Sequence, residues 1–111
     1  MREISAEEYT AAVVDGSLKM PVVLDIWDPT WPPCISLAPK FAELAARYGD
    51  RIVFMKMNRG ENREIMKMLK LRGVPTIIFM DKKEEFAPRL VGDTGAVPEK
   101  IEEAITSFLK I

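Results

Sequence analysis

The chain holds one cysteine, Cys34, and no histidine. Together these two facts limit the chemistry before any element is placed. Without histidine there is no imidazole base, no Ser-His-Asp or Cys-His nucleophile pair and no histidine metal ligand. With a single thiol the chain can close no internal disulfide and build no Cys-rich zinc site. Any redox work falls to Cys34 alone. Directly ahead of it, Trp31-Pro32-Pro33 sets an indole and two prolines. The second group of interest is Asp25, a carboxylate inside the apolar run Val22-Val23-Leu24-Asp25-Ile26-Trp27. Desolvation there predicts a carboxyl pKa above the ordinary range.

The hydrophobic pattern lays out the elements that must position these groups. Ser5-Ala6-Glu7-Glu8 reads as a capping box opening a short helix that buries Tyr9, Ala12 and Val13 and stops at Gly16. Val22–Trp27 is nearly continuous in apolar character, as a strand buried on both faces should be. After a turn over 28–33, apolar residues at Leu37, Phe41, Leu44, Ala45 and Tyr48 recur at helical spacing, with Pro39 expected to kink the helix and Gly49 to end it. A strand over 51–58, a helix over 62–71 and a strand Thr76–Met80 follow. Asp81-Lys82-Lys83 reads as a hairpin turn into 86–91, which Pro88 demotes to an edge strand. Residues 92–95 read as a loop, and Pro98 opens a last helix burying Ile101, Ile105, Phe108 and Leu109. Helix-length crossovers between the early strands imply a mixed, mainly parallel sheet with helices on both faces.

At 111 residues the chain is expected to form a single domain over 1–111. Its 16 Lys and Arg balance 17 Asp and Glu, and Lys82-Lys83 is cancelled by Glu84-Glu85, which argues against nucleic acid. No run approaches the roughly 20 apolar residues of a membrane span. Met1-Arg2-Glu3-Ile4 offers no apolar signal region, so the expected location is the cytoplasm. Met55, Met57, Met66 and Met80 fall at core spacing and are read as packing residues. No cofactor and no metal are expected.

Several stretches resemble thioredoxin: Val22–Trp27 its central strand, Pro33-Cys34 with Leu37-Ala38-Pro39 the end of its active-site motif and the helix after it, Lys56-Met57-Asn58 the end of its third strand, Gly73-Val74-Pro75-Thr76 its cis-proline loop, and Val91-Gly92 the end of its last strand. The resemblance covers nearly the whole chain. It implies an α/β thioredoxin fold, three layers with a mixed central sheet of four to five strands and four helices. It also implies that the family's Trp-Cys-Gly-Pro-Cys corresponds here to Thr30-Trp31-Pro32-Pro33-Cys34. Trp31 then stands in place of the attacking cysteine and Cys34 in place of the resolving one.

Dithiol exchange needs one thiolate to attack and a second thiol to resolve the mixed disulfide, so ordinary oxidoreductase activity is not expected. By resemblance, Asp25 matches the buried acid that accepts a proton from the resolving thiol, Lys56 its partner, and Val74-Pro75 a peptide-pairing site with a cis bond. The peptide surface is then expected at Trp27, Trp31, Pro32, Val74, Pro75, Gly92 and Asp93. Alternatives stay open at each point. Cys34 is either an inert packed thiol or a monothiol, Asp25 either a relic or a working acid, and Trp31 either a cover over Cys34 or an exposed anchor. The leading expectation is a redox-inactive module that binds a protein or peptide in a chaperone, adaptor or assembly role. The alternatives are a weak monothiol oxidoreductase acting through Cys34, and a thioredoxin kept only for its fold.

Overall fold

In the computed structural model, which describes residues 1–111, strand β2 (Val22–Trp27) runs through the centre of the sheet. Its residues 22–26 are all buried, as their apolar run requires. On one side β2 pairs in parallel with β3 (Val53–Asn58), and β3 pairs in parallel with the two-residue β1 (Arg2–Glu3). On the other side β2 pairs antiparallel with β4 (Thr76–Asp81). The outer edge of β4 carries two short antiparallel strands, β5 (Glu84–Glu85) and β6 (Leu90–Val91). The expected single strand over 86–91 is therefore interrupted. Pro88 lacks the N–H a ladder needs, and pairing resumes only beyond it.

Side chains alternate across the pleat, and the two faces build separate cores. Val22, Leu24 and Ile26 join Ile4, Val13, Cys34, Met57, Ile65 and Ile78 on one face. Val23, Ile77 and Phe79 join Leu37, Phe41, Leu44, Ile101 and Ile105 on the other. The second core belongs to α1 (Pro32–Tyr48) and α4 (Pro98–Leu109). In α1 the expected inward positions are buried, except that Ala45 is only partly covered, and Pro39 lies inside the helix. In α4, Phe108 and Leu109 are partly buried rather than enclosed, and Phe108 stacks on Phe86 at 3.9 Å between centroids.

Three local expectations are corrected. The first helical stretch does not stop at Gly16: it runs from Ala6 to Leu18 as 3-10, π and 3-10 turns, with Gly16 in right-handed helical geometry. Ser17 explains the continuation. Its hydroxyl donates to the Val14 carbonyl at 2.6 Å and accepts from the Lys83 N–H at 2.8 Å, docking the stretch onto the β4–β5 turn. The helix expected over 62–71 is the shorter α2 (Glu64–Met68), because Lys70 turns left-handed and the Leu71 N–H folds back to the Met66 carbonyl. Residues 92–95 form one helical turn, α3 (Gly92–Gly95), instead of a loop, with Gly92 at φ +83°. The hairpin turn is as expected, and Lys82 and Lys83 both take the positive φ that such a turn demands.

Buried Asn62 ties the first helical stretch to the loop after β3. Its Oδ1 accepts from the Ala6 N–H at 2.7 Å, and its Nδ2 donates to the Asn58 carbonyl at 2.9 Å. Asn62→Ala strands the Ala6 amide and should destabilise the fold by about 1–3 kcal/mol. A lower urea midpoint at unchanged slope is the expected reading.

Candidate functional site

The C-terminal end of β2 delivers the chain into a turn that begins α1. Asp28 organises it: Oδ1 accepts from the Thr30 N–H at 2.9 Å and the Thr30 hydroxyl at 2.7 Å, while the Asp28 carbonyl accepts from the Trp31 N–H at 3.1 Å. Trp31 is the residue before the first turn of α1, with extended backbone, and its carbonyl accepts from the Cys34 N–H at 3.0 Å. Pro32 and Pro33 suit that first turn but carry no N–H. The anion-stabilising amides of a helix N-terminus are thinned accordingly.

Cys34 is a free cysteine, and only 1% of its surface is exposed. Its Sγ accepts a 3.4 Å hydrogen bond from the Asp28 N–H. Burial pushes the thiol pKa up, and the carboxylates of Asp25 and Asp28 push it the same way; the Asp28 amide and Arg59 oppose them without prevailing. A thiol so placed is a poor nucleophile. The native protein should accordingly react with a small disulfide probe at least about tenfold more slowly than the denatured chain, as followed by the absorbance of the released thiolate.

Asp25 sits one strand position before Ile26, facing Lys56 on β3 and Ile77 on β4 in register. It is 1% exposed, and neither carboxylate oxygen has a hydrogen-bond partner. Burial raises its pKa to about 7, with Lys56 pulling weakly the other way. The expected partnership with Lys56 is thus one of proximity only. The Lys56 ammonium lies over the Trp27 ring, 3.8 Å from its centroid, and forms no ion pair with Asp25.

The residues expected to form a peptide surface do not all gather. Trp27 is half-buried against the first core and engaged toward β1 and β3, by Lys56 and by Glu3 at 3.4 Å from its indole nitrogen. Trp31, by contrast, is 49% exposed and is not among the side chains packed on the core that holds Cys34. Pro32 and Asp93 line one cleft of about 370 Å³ between the start of α1 and the α3–α4 corner. The Val74–Pro75 bond is cis, and the Pro75 carbonyl accepts from the Gly92 N–H at 2.8 Å. Val74 is not an open surface side chain as expected, being buried in the first core, but its N–H and C=O make no hydrogen bond within the chain.

Two features lay outside the sequence reading. Ile35, one turn after Trp31, is 52% exposed and extends the apolar surface. Its signal was an apolar residue off the Leu37–Phe41–Leu44 stripe. The other is Arg59, whose Nη2 donates to Asp28 Oδ2 at 2.8 Å and holds that carboxyl down to about 2. No group of His, Cys, Asp and Glu is arranged to hold a metal ion, and no helix is long and apolar enough to cross a membrane.

Comparison with known proteins places this architecture. The family model Thioredoxin matches residues 1–107. Thioredoxin 1 of Synechococcus elongatus is 34% identical over 97 residues, which cover 80% of this chain and 86% of the relative. Thioredoxin of Haemophilus influenzae is 27% identical over 96 residues, covering 86% and 84%. The M-type chloroplastic thioredoxin of Spinacia oleracea is 33% identical over 92 residues; the match covers 82% of this chain but only 49% of that longer protein. The solved structure of Fasciola hepatica thioredoxin superposes with a TM-score of 0.82, covering 96% of this chain and 98% of that one at 24% identity, which speaks to the fold. The chain belongs to the thioredoxin family, and it carries that fold with a single cysteine.

Proposed function

We propose that this protein is a thioredoxin-family binding module that holds an extended protein segment at the Val74–Trp31 surface and does not turn over disulfides. The observation that carries the reading is the unpaired backbone of Val74. An amide and a carbonyl left without partners cost free energy unless something pairs with them, and strand addition by a peptide supplies that pairing. Exposed Trp31 and Ile35 would give such a segment an apolar anchor. Pro32 and Asp93 would border it on the α3 side, with Pro75 and Gly92 holding the Val74 loop in place.

Within this reading Cys34 is a packing residue and Asp25 a carboxyl without a thiol to serve. Monothiol exchange through Cys34 finds no support in a thiol that is buried and raised in pKa. The expected location remains the cytoplasm, where a reduced lone thiol is stable. The test is an array of ten-residue peptides, run beside an insulin-reduction assay with dithiothreitol. Trp31→Ala should weaken peptide binding by about tenfold or more, while wild type and Cys34→Ser should both leave insulin reduction at the dithiothreitol background. Catalysis that disappears with Cys34→Ser would assign the protein to monothiol chemistry instead.

A further inference from the structure

Beside the Trp31 turn lies a second recess, of about 420 Å³, lined by Asp28, Arg59, Gly60, Arg63 and Met66. Two guanidinium groups and one carboxylate give it a net positive charge. Both oxygens of the carboxylate are engaged: Asp28 Oδ1 accepts twice from Thr30, and Oδ2 accepts from Arg59. The guanidiniums are not. Arg59 spends only Nη2 on Asp28 and keeps its remaining N–H donors, since each guanidinium carries five. Arg63 is exposed, and its side chain makes no hydrogen bond or ion pair. Met66 is half-buried against the core and gives the recess one apolar wall. The recess is joined to the anchor by a single residue, because the Asp28 carbonyl accepts the Trp31 N–H.

From this charge imbalance we infer that the segment held at the Trp31 surface carries an aspartate or glutamate side chain that docks between Arg59 and Arg63. The inference rests on the proposed peptide-binding reading and names the chemistry of its partner. A carboxylate there meets two planar forks, the arrangement that favours paired, charge-assisted hydrogen bonds. Asp28 does not exclude it, being neutralised by Arg59 and held by Thr30. The apolar wall from Met66 suits the methylene stem of a glutamate.

The test uses an array of random ten-residue peptides, acetylated at the N-terminus and amidated at the C-terminus, with a parallel set bearing a free carboxylate. Wild-type protein should select amidated peptides rich in Asp or Glu. For the best of these, Arg63→Gln should weaken binding by about three- to tenfold, and so should replacing the peptide's acid by its amide. The two changes combined should cost little more than either alone. Arg63 is chosen because its removal strands no buried charge. Selected peptides without acidic enrichment, or affinity unmoved by Arg63→Gln, would overturn the inference while leaving the peptide surface intact, provided that Trp31→Ala still weakens binding by about tenfold or more. Selection confined to the free-carboxylate set would overturn it in favour of a chain terminus. Absence of any Trp31-dependent binding would overturn both readings together.

Discussion

Asp25→Asn is expected to stabilise the protein at pH 8.5 by about 4 kcal/mol and to leave its stability at pH 4 nearly unchanged. The carboxyl titrates near 3.8 in an ordinary setting and near 7 in the folded chain. Between those values the folded state holds a proton that the unfolded state has released. Stability therefore declines as pH rises from about 4, and the full cost is reached above pH 7. At roughly 1.4 kcal/mol per pH unit the separation amounts to about 4 kcal/mol. Asparagine has the same shape and no charge to desolvate. It leaves polar atoms unpaired, but so does the protonated acid, whose oxygens have no partner either. The difference between the two proteins should thus open with pH, and urea midpoints at pH 4, 6 and 8.5 would trace it. A variant less stable than wild type at pH 8.5 would mean that the carboxylate has a compensating partner, and the account of burial would fail.

Trp31→Cys should give a protein that reduces insulin faster than the dithiothreitol background by roughly an order of magnitude or more, because Cys34 is then paired with a second, attacking thiol. Position 31 is exposed, precedes the first turn of α1 and already bonds through its carbonyl to the Cys34 amide. The new thiol would sit where a macrodipole favours its anion. With Pro32 and Pro33 supplying no amide hydrogens, its pKa should fall only modestly. Closing the four-residue loop should stabilise the oxidised variant over its reduced form by about 2 kcal/mol on chain-entropy grounds. Thiol counting after mild oxidation and melting with and without reductant would measure this. Two free thiols persisting under oxidant would show that the double-proline turn holds the sulfurs apart.

How much of this was legible in the sequence depends on the range of the interaction. Val22–Trp27 could be read directly, because a strand covered on both faces has to be apolar nearly throughout, Asp25 being the one exception here. The inward stripe of α1 and the start of α4 at Pro98 followed from local sequence for a similar reason. The breaks were harder. Lys70, which ends α2, belongs to a residue type with no preference for a left-handed turn, and the hydroxyl of Ser17 carries the first helical stretch past Gly16 through a partner 66 residues away. At the site, the elements that carry the candidate residues were readable and the contacts of their side chains were not. The family resemblance put Lys56 beside Asp25, yet the choice between carboxylate and indole is made by a side-chain rotamer. Arg59 escaped notice because Asp28, which gives it meaning, lies 31 residues earlier.

The two indoles also make this molecule its own optical gauge. Trp27 lies half-buried beneath an ammonium group, whereas Trp31 stands half in water. A soluble quencher such as acrylamide will therefore reach one emitter far more readily than the other. Any partner that settles over the α1 turn should shade the accessible emitter first, so that occupancy can be followed by light with no label attached.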